Sequence, residues 1–129
     1  MPFHDCVSFI LIDNEKVLLE KRREDKEIDP GLIMIPGGHV NDGETEQQAL
    51  DRELLEELGI KAIQSEYVCT LIHKTTEIQK IHYYWVRSWA GSIQPFEAAS
   101  VFWHPLTDAD RLDIIPDRIA LAEYRRLFR

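Results

Sequence analysis

Cysteine is scarce in this chain, and its two cysteines are not spaced for metal binding. Cys6 and Cys69 form neither a CxxC pair nor a Cys/His ligand pattern, and each lies in an apolar segment with strand character. Free cysteine in such a setting behaves as a small hydrophobic residue. We therefore expect two buried free thiols rather than a disulfide or a reactive site.

Long apolar runs and an excess of basic residues are also missing. No segment approaches the roughly 18 apolar residues of a membrane span, and the N-terminal residues lack a basic leader. The chain has 15 Lys and Arg against 23 Asp and Glu, a net charge of −8, which repels nucleic acid polymers and anionic membranes. We expect a cytoplasmic monomer or homodimer whose partner is a small molecule.

Internal repeats, low-complexity tracts and linkers are absent as well. With 129 residues, of which 44% are hydrophobic, the chain fits a single domain over residues 1–129 with a substantial core. The glycine pair Gly37-Gly38 is followed by neither GxGxxG nor GK[ST] spacing, which argues against a Rossmann fingerprint and a P-loop.

Apolar and turn-forming segments predict the order of the elements. A β-hairpin is expected from residues 6–12 and 17–19, further strands from residues 31–35, 67–72, 80–87 and 101–103, and helices from about residue 45 and from residue 117. Only one crossover helix precedes the aromatic strands, so a regular βαβ repeat does not fit. The order predicts an α/β fold in which helices cover both faces of a mixed sheet.

Residues 36–60, PGGHVNDGETEQQALDRELLEELGI, combine a glycine turn with an unusually acidic helix. Thr45 with Gln48 resembles a capping box, and Gly59 stands where a helix-ending residue belongs. At about 100° per residue, three glutamates share an arc of roughly 100° and repel one another: Glu53, Glu56 and Glu57. Leu50, Leu54 and Leu58 form a second arc that can dock on a sheet. The helix therefore predicts a cation site beside the core.

The spacing of this segment resembles the Nudix box, Gx5Ex7REUxEExGU, in which U is apolar. Every defining position matches: Gly38, Glu44, Arg52, Glu53, Leu54, Glu56, Glu57, Gly59 and Ile60. The length and element order are similar to those of small MutT-like members. The resemblance implies a Nudix-type α/β/α sandwich with a mixed central β-sheet, and hydrolysis of a nucleoside diphosphate linked to another group.

The resemblance also implies roles for the residues of the box. Glu53, Glu56 and Glu57 would bind magnesium, with manganese as the alternative ion, and the backbone carbonyl of Gly37 or Gly38 would complete the shell. Magnesium prefers such oxygen ligands. Arg52 and Glu44 would hold the glutamates and the loop in place, although a surface salt bridge is the plainer interpretation of this pair.

Two departures from the family pattern leave questions open. The general base is either Glu53 or an acid from a late loop, where relatives often carry a Glu-Glu-Val-x-Trp-like segment. Here Ser100 occupies the place of the extra carboxylate, so either Glu97 reaches the site by another path or the helix glutamates act alone. Residues 32–35, Leu-Ile-Met-Ile, replace a frequent tryptophan and predict an aliphatic pocket wall.

Residues outside the box are the candidates for substrate binding. Arg22 and Arg23 suit phosphate oxygens but equally suit a solvated strand end. Tyr83 belongs to an aromatic strand that is more simply core, although one ring can stack on a base. Asp117 heads the last helix, either as a reader of a base edge or as its N-cap.

The chemistry of the box leaves the substrate open. We expect a (d)NTP pyrophosphohydrolase of MutT type that releases NMP and pyrophosphate, including from oxidised or non-standard nucleotides. The alternatives are an NDP-sugar or ADP-ribose pyrophosphatase and, from another class, a non-catalytic nucleotide-sensing module.

Overall fold

The computed structural model describes residues 3–129, which form two sheets and two helices. The first sheet contains β1 (Phe3–Ile10), β5 (Gly37–His39), β6 (Lys61–Lys74) and β7 (Ile78–Ala90), in the order β5-β1-β7-β6. Strands β1 and β7 run parallel, and the other neighbours are antiparallel. This is the predicted mixed sheet.

The second sheet is smaller and wholly antiparallel. Its central strand β3 (Lys16–Lys21) pairs with β2 (Ile12–Asp13), β4 (Ile33–Met34) and β8 (Ser100–Pro105). Of the predicted hairpin, residues 6–12 with 17–19, the strand pairing is therefore correct only at Ile12, which pairs with Val17. Strand β1 belongs to the other sheet, because the chain passes from one sheet to the other at Leu11.

Helices α1 (Glu46–Leu58) and α2 (Ile115–Phe128) lie on opposite faces of the first sheet. Alternate side chains of β1 enter two separate cores, as the period of a strand requires. Phe9 packs in the cluster that contains the α1 leucines, whereas Ile10 packs in the cluster of α2. Together with these helices the sheet forms the predicted α/β/α sandwich.

The strands β6 and β7 are much longer than the apolar pattern predicts. Both continue through polar residues, because their antiparallel hydrogen bonds rather than apolar side chains hold the outer parts together. The two cysteines are free, Cys6 buried and Cys69 half-buried. Among the described residues, no helix is both long and apolar enough to cross a membrane.

A buried polar pair joins α2 to the sheet. The Tyr83 hydroxyl donates to Asp117 Oδ1 at 2.6 Å, and the Ile35 backbone N–H donates to Asp117 Oδ2 at 2.9 Å. Burial raises the pKa of Asp117 to about 7, although both hydrogen bonds lower it. The N-cap of α2 is Ile114 without a side-chain bond, so Asp117 is not the N-cap that the sequence allowed.

Replacing Tyr83 by Phe should lower the free energy of unfolding by about 1–3 kcal/mol, because Asp117 Oδ1 loses its donor in a site closed to water. Urea denaturation at neutral pH measures the change. Tyr67→Phe is the matched control, since the Tyr67 hydroxyl contacts Thr70 at an exposed position on the adjacent strand. Equal losses in the two variants would contradict the assignment.

Candidate active site

Helix α1 begins and ends at residues that define both boundaries locally. The Thr45 hydroxyl accepts from the Gln48 N–H at 3.1 Å, and the Gln48 side chain accepts from the Thr45 N–H at 2.9 Å. Gly59 adopts the left-handed conformation with φ of 69°, which terminates the helix. The predicted capping box and C-cap are both confirmed.

The acidic face of α1 divides into buried and exposed carboxylates. Glu53 and Glu57 are one turn apart and only 7% and 8% exposed. Glu56 is bonded to Arg52 and its side chain is about half exposed, at 48%. The structure thus places two of the three predicted ligands, Glu53 and Glu57, in a cleft and leaves Glu56 outside its lining.

The two glycines, which the sequence predicted to form a turn, instead begin strand β5, and this strand leaves space for the helix. A Cβ atom at Gly38 would lie 2.2 Å from the carboxyl carbon of Glu53, and one at Gly37 would lie 2.2 Å from the Val7 carbonyl oxygen. No side chain can be accommodated at such distances without movement of the strand or of the glutamate. Gly38 therefore brings its backbone directly against Glu53, whereas Gly37 packs closely against Val7 and Ser8 of β1.

Arg52 holds four groups of the segment together. Its guanidinium donates to both Glu44 oxygens at 2.7 and 2.9 Å, to Glu53 at 2.8 Å, to Glu56 at 3.0 Å and to the His39 carbonyl at 2.8 Å. The bidentate bond from Arg52 is the main reason why the pKa of Glu44 is lowered. Arg52 therefore makes more contacts than the surface salt bridge with Glu44 that was the plainer interpretation of the sequence.

A cleft of about 220 Å³ opens beside the buried face of α1. Five carboxylates line it, together with one arginine and one lysine: Glu20, Asp29, Glu53, Glu57, Glu97, Arg22 and Lys26. Of the predicted aliphatic wall, residues 32–35, only Met34 and Ile35 line the cleft, and Ile81 joins them.

The carboxylates of the cleft lack enough positive partners. Among residues 3–129, Glu57 Oε2 is the one buried side-chain oxygen or nitrogen without a hydrogen bond. Burial, followed by repulsion from Glu20 and Glu53, raises the pKa of Glu57 well above its usual value. Burial likewise raises the pKa of Glu20 to about 7, although Arg22 lowers it.

This donor set fits a hard divalent cation. Magnesium takes oxygen ligands and retains water molecules, and the cleft offers carboxylate oxygens, one of them unpaired, beside the backbone of Gly37 and Gly38. A bound cation would favour the charged carboxylates, against the burial and the repulsion that raise the pKa of Glu57.

The loop that carries Glu97 is attached to the end of α1. The Gln94 N–H donates to the Leu58 carbonyl at 2.9 Å, and the Phe96 N–H donates to the Glu57 carbonyl at 3.0 Å. These bonds satisfy helix carbonyls that would otherwise lack donors. They also place Glu97 on the wall of the cleft, whereas Ser100 pairs with Lys21 in the small sheet.

The structure separates the four predicted substrate-binding residues. Arg22 lines the cleft, and its Nε donates to the Ile28 carbonyl at 3.1 Å. Arg23 is exposed, bonds to Asp25 and borders only a shallow extension of about 20 Å³. Tyr83 and Asp117 do not line the cleft, because they are buried against each other under α2.

Three charged cleft residues are absent from the predicted site: Glu20, Lys26 and Asp29. Glu20 is 5% exposed and faces the α1 glutamates. Glu20 directly follows the apolar residues Val17–Leu19 and therefore continues the same predicted strand, which is the signal that could have identified it. Lys26 lies in a polar loop, and nothing in the local sequence distinguishes it from other surface lysines.

The fold and the site define an α/β sandwich with a carboxylate-rich cleft suited to a divalent cation and a phosphorylated ligand. The family model described as the NUDIX domain matches residues 2–124, and the chain belongs to this family. It is a Nudix hydrolase, and such hydrolases generally need a divalent metal.

Named relatives and solved structures agree with this assignment. CTP pyrophosphohydrolase of Escherichia coli K12 is 32% identical over 124 residues, covering 95% of this chain and 91% of the relative. The 8-oxo-dGTP diphosphatase of Haemophilus influenzae is 39% identical over 98 residues, covering 72% and 70%.

Two solved structures match nearly the whole chain. The solution structure of the E. coli ORF135 protein superposes with a TM-score of 0.82 at 30% identity, covering 98% of this chain and 91% of that one. The crystal structure of a MutT Nudix hydrolase from Burkholderia pseudomallei gives 0.84 at 25% identity, covering 95% and 98%.

Replacing Arg52 by Lys should weaken magnesium binding by about 10- to 100-fold, because an ammonium group cannot make the fork that orients Glu44 and Glu53 together. Titration calorimetry with magnesium measures the affinity. Arg87→Lys is the control, since Arg87 is exposed and contacts Glu66 far along the sheet. Unchanged affinity in the Arg52 variant would refute the positioning role.

Proposed function

We propose that the chain hydrolyses a nucleoside triphosphate to the monophosphate and pyrophosphate with the help of magnesium. The observation that carries the proposal is the unpaired, buried Glu57 oxygen in a cleft that also holds Arg22 and Lys26. The glutamates of the cleft attract cations, whereas Arg22 and Lys26 attract phosphate oxygens. A magnesium-bound polyphosphate complements both.

Glu53 and Glu57 are the first candidates to hold the metal, because their carboxylates lie inside the cleft. Gly37, Gly38 and Glu97 line the same cleft. Glu56 belongs to the same helix but is about half exposed, at 48%, and does not line the cleft. When bound, magnesium would neutralise phosphate charge and lower the pKa of a coordinated water.

The remaining side chains would position the substrate and accept a proton. Arg22 and Lys26 line the same cleft as the acids, so they are suited to bind phosphate oxygens that the carboxylates alone would repel. Glu53 is the first choice for the general base, and Glu97 is the alternative from the late loop. Met34, Ile35 and Ile81 would form the apolar boundary of the cleft beside a bound base.

Two relatives support the choice of substrate class, which the box leaves open. The two curated relatives described above are named for CTP and for 8-oxo-dGTP, which are both nucleoside triphosphates. Every glutamate of the box is retained, which supports turnover over a purely sensing role. We therefore place triphosphates ahead of NDP-sugars and ADP-ribose.

Glu57→Gln should lower kcat by roughly 100-fold or more with the fold unchanged, because the amide removes a charge that the metal needs. Pyrophosphate release in the presence of magnesium measures the rate, and circular dichroism monitors the fold. Glu66→Gln changes an exposed acid on β6 and should retain wild-type activity. Undiminished turnover in the Glu57 variant would contradict the metal assignment.

A substrate panel should rank a triphosphate first by kcat/KM. The panel contains CTP, the other canonical NTPs and dNTPs, 8-oxo-dGTP, an NDP-sugar and ADP-ribose, and the products are separated by chromatography. Monophosphate and pyrophosphate in equal amounts are expected. A higher kcat/KM for ADP-ribose or the sugar nucleotide than for every triphosphate would overturn the substrate class without affecting the hydrolase assignment.

A further inference from the structure

Two histidines and a glutamate form a second cluster at the edge of the cleft. His4 Nε2 lies 3.1 Å from Glu77 Oε2, and His39 Nε2 lies 2.6 Å from Glu77 Oε1. The three candidate ligand atoms lie within 4.8 Å of one another. We propose that His4, His39 and Glu77 form a binding site for zinc(II), separate from the carboxylates assigned to magnesium.

The strand register brings these side chains to one face of the sheet. His39 is opposite Cys6 in the β5–β1 pair, and His4 is opposite Gln79 in the β1–β7 pair. Residues two apart on a strand share a face. Glu77 directly precedes β7 and is two residues before Gln79, so three neighbouring segments contribute one ligand each.

The chemistry of the donors selects the metal. Imidazole nitrogen suits zinc, copper and nickel, whereas magnesium prefers an all-oxygen set. Two imidazoles and one carboxylate with an open position also occur in zinc sites of enzymes. In a tetrahedral zinc site with bonds of about 2.0–2.1 Å, neighbouring donors are about 3.3 Å apart. The two imidazole-to-carboxylate distances, 3.1 and 2.6 Å, lie near this value. The limit of 4.8 Å for the whole cluster leaves rotation of the imidazoles to complete the site.

The surroundings meet two further requirements of a metal site. The Gln79 side chain donates to Glu77 Oε1 at 3.0 Å and so orients the carboxylate from a second layer. The His4 and His39 side chains are 42% and 46% exposed, which leaves a path for the ion, while Glu77 is mostly buried at 13%. The mostly buried carboxylate of Glu77 is thus held in place, whereas the exposed imidazoles of His4 and His39 can rotate toward an ion.

The site would also fix the N-terminal end of residues 36–60, which contain the Nudix box. The backbone carbonyl of His39 accepts from Arg52 at 2.8 Å, while its imidazole belongs to the cluster. Zinc would tie β5 to β1 and to the start of β7 through side chains, in addition to the strand hydrogen bonds.

Titration calorimetry of the untagged full chain with zinc, in excess magnesium, tests the proposal. One zinc per chain is expected, and His39→Ala and Glu77→Gln should each weaken binding by at least about 10-fold. His104→Ala is the control, because that imidazole pairs with Asp108 in the other sheet. Absence of binding, or wild-type affinity in both cluster variants, would overturn the site.

Cobalt(II) provides a second readout that does not depend on activity. The visible spectrum of the cobalt-loaded chain should show bands of nitrogen-ligated, low-coordinate cobalt that disappear in Glu77→Gln and persist in Glu57→Gln. If the bands instead disappear in Glu57→Gln and persist in Glu77→Gln, the ion binds in the cleft and the proposal is wrong. Circular dichroism of each variant confirms that the fold is retained.

Discussion

Burial of the Glu53 and Glu57 carboxylates is the constraint on which the site depends. Charged groups are rarely removed from water without partners, because their desolvation is strongly unfavourable. Here Arg52 partners Glu53, but one oxygen of Glu57 has no donor among the described residues. The fold maintains this arrangement because the leucines of the same helix are fully buried against the sheet.

Core and site therefore share one helix, and neighbouring elements are adapted to it. Gly38 of β5 approaches Glu53 too closely for a side chain at that position, and the loop that carries Glu97 bonds to the last carbonyls of α1. Contacts of the backbone therefore help to position Glu53 and Glu97. Such preorganisation holds the acids in position before a cation or substrate arrives, which is the property that electrostatic catalysis needs.

Local signals in the sequence predicted the helix well and the strands less completely. Thr45, Gln48 and Gly59 interact with residues three to five positions away, so their pattern is visible in the sequence. The hairpin at the N-terminus was only partly correct, because the choice of sheet for β1 depends on β5 and β7. Glu20 was missed because its strand lies between Met34 of β4 and Val101 of β8, and the α1 glutamates in the same cleft are more than thirty residues further along the chain.

The sequence by itself determined the acidic helix, its two boundaries, the spacing of the Nudix box and hence the type of chemistry. Only the tertiary structure decided which acids enter the cleft, that Arg22 and Lys26 face them, and that Tyr83 and Asp117 lie buried together. Asp117 receives its hydrogen bonds from residues 34 and 82 positions away. Spacing along the chain carries no information on such contacts, because they form only when the sheets and helices pack.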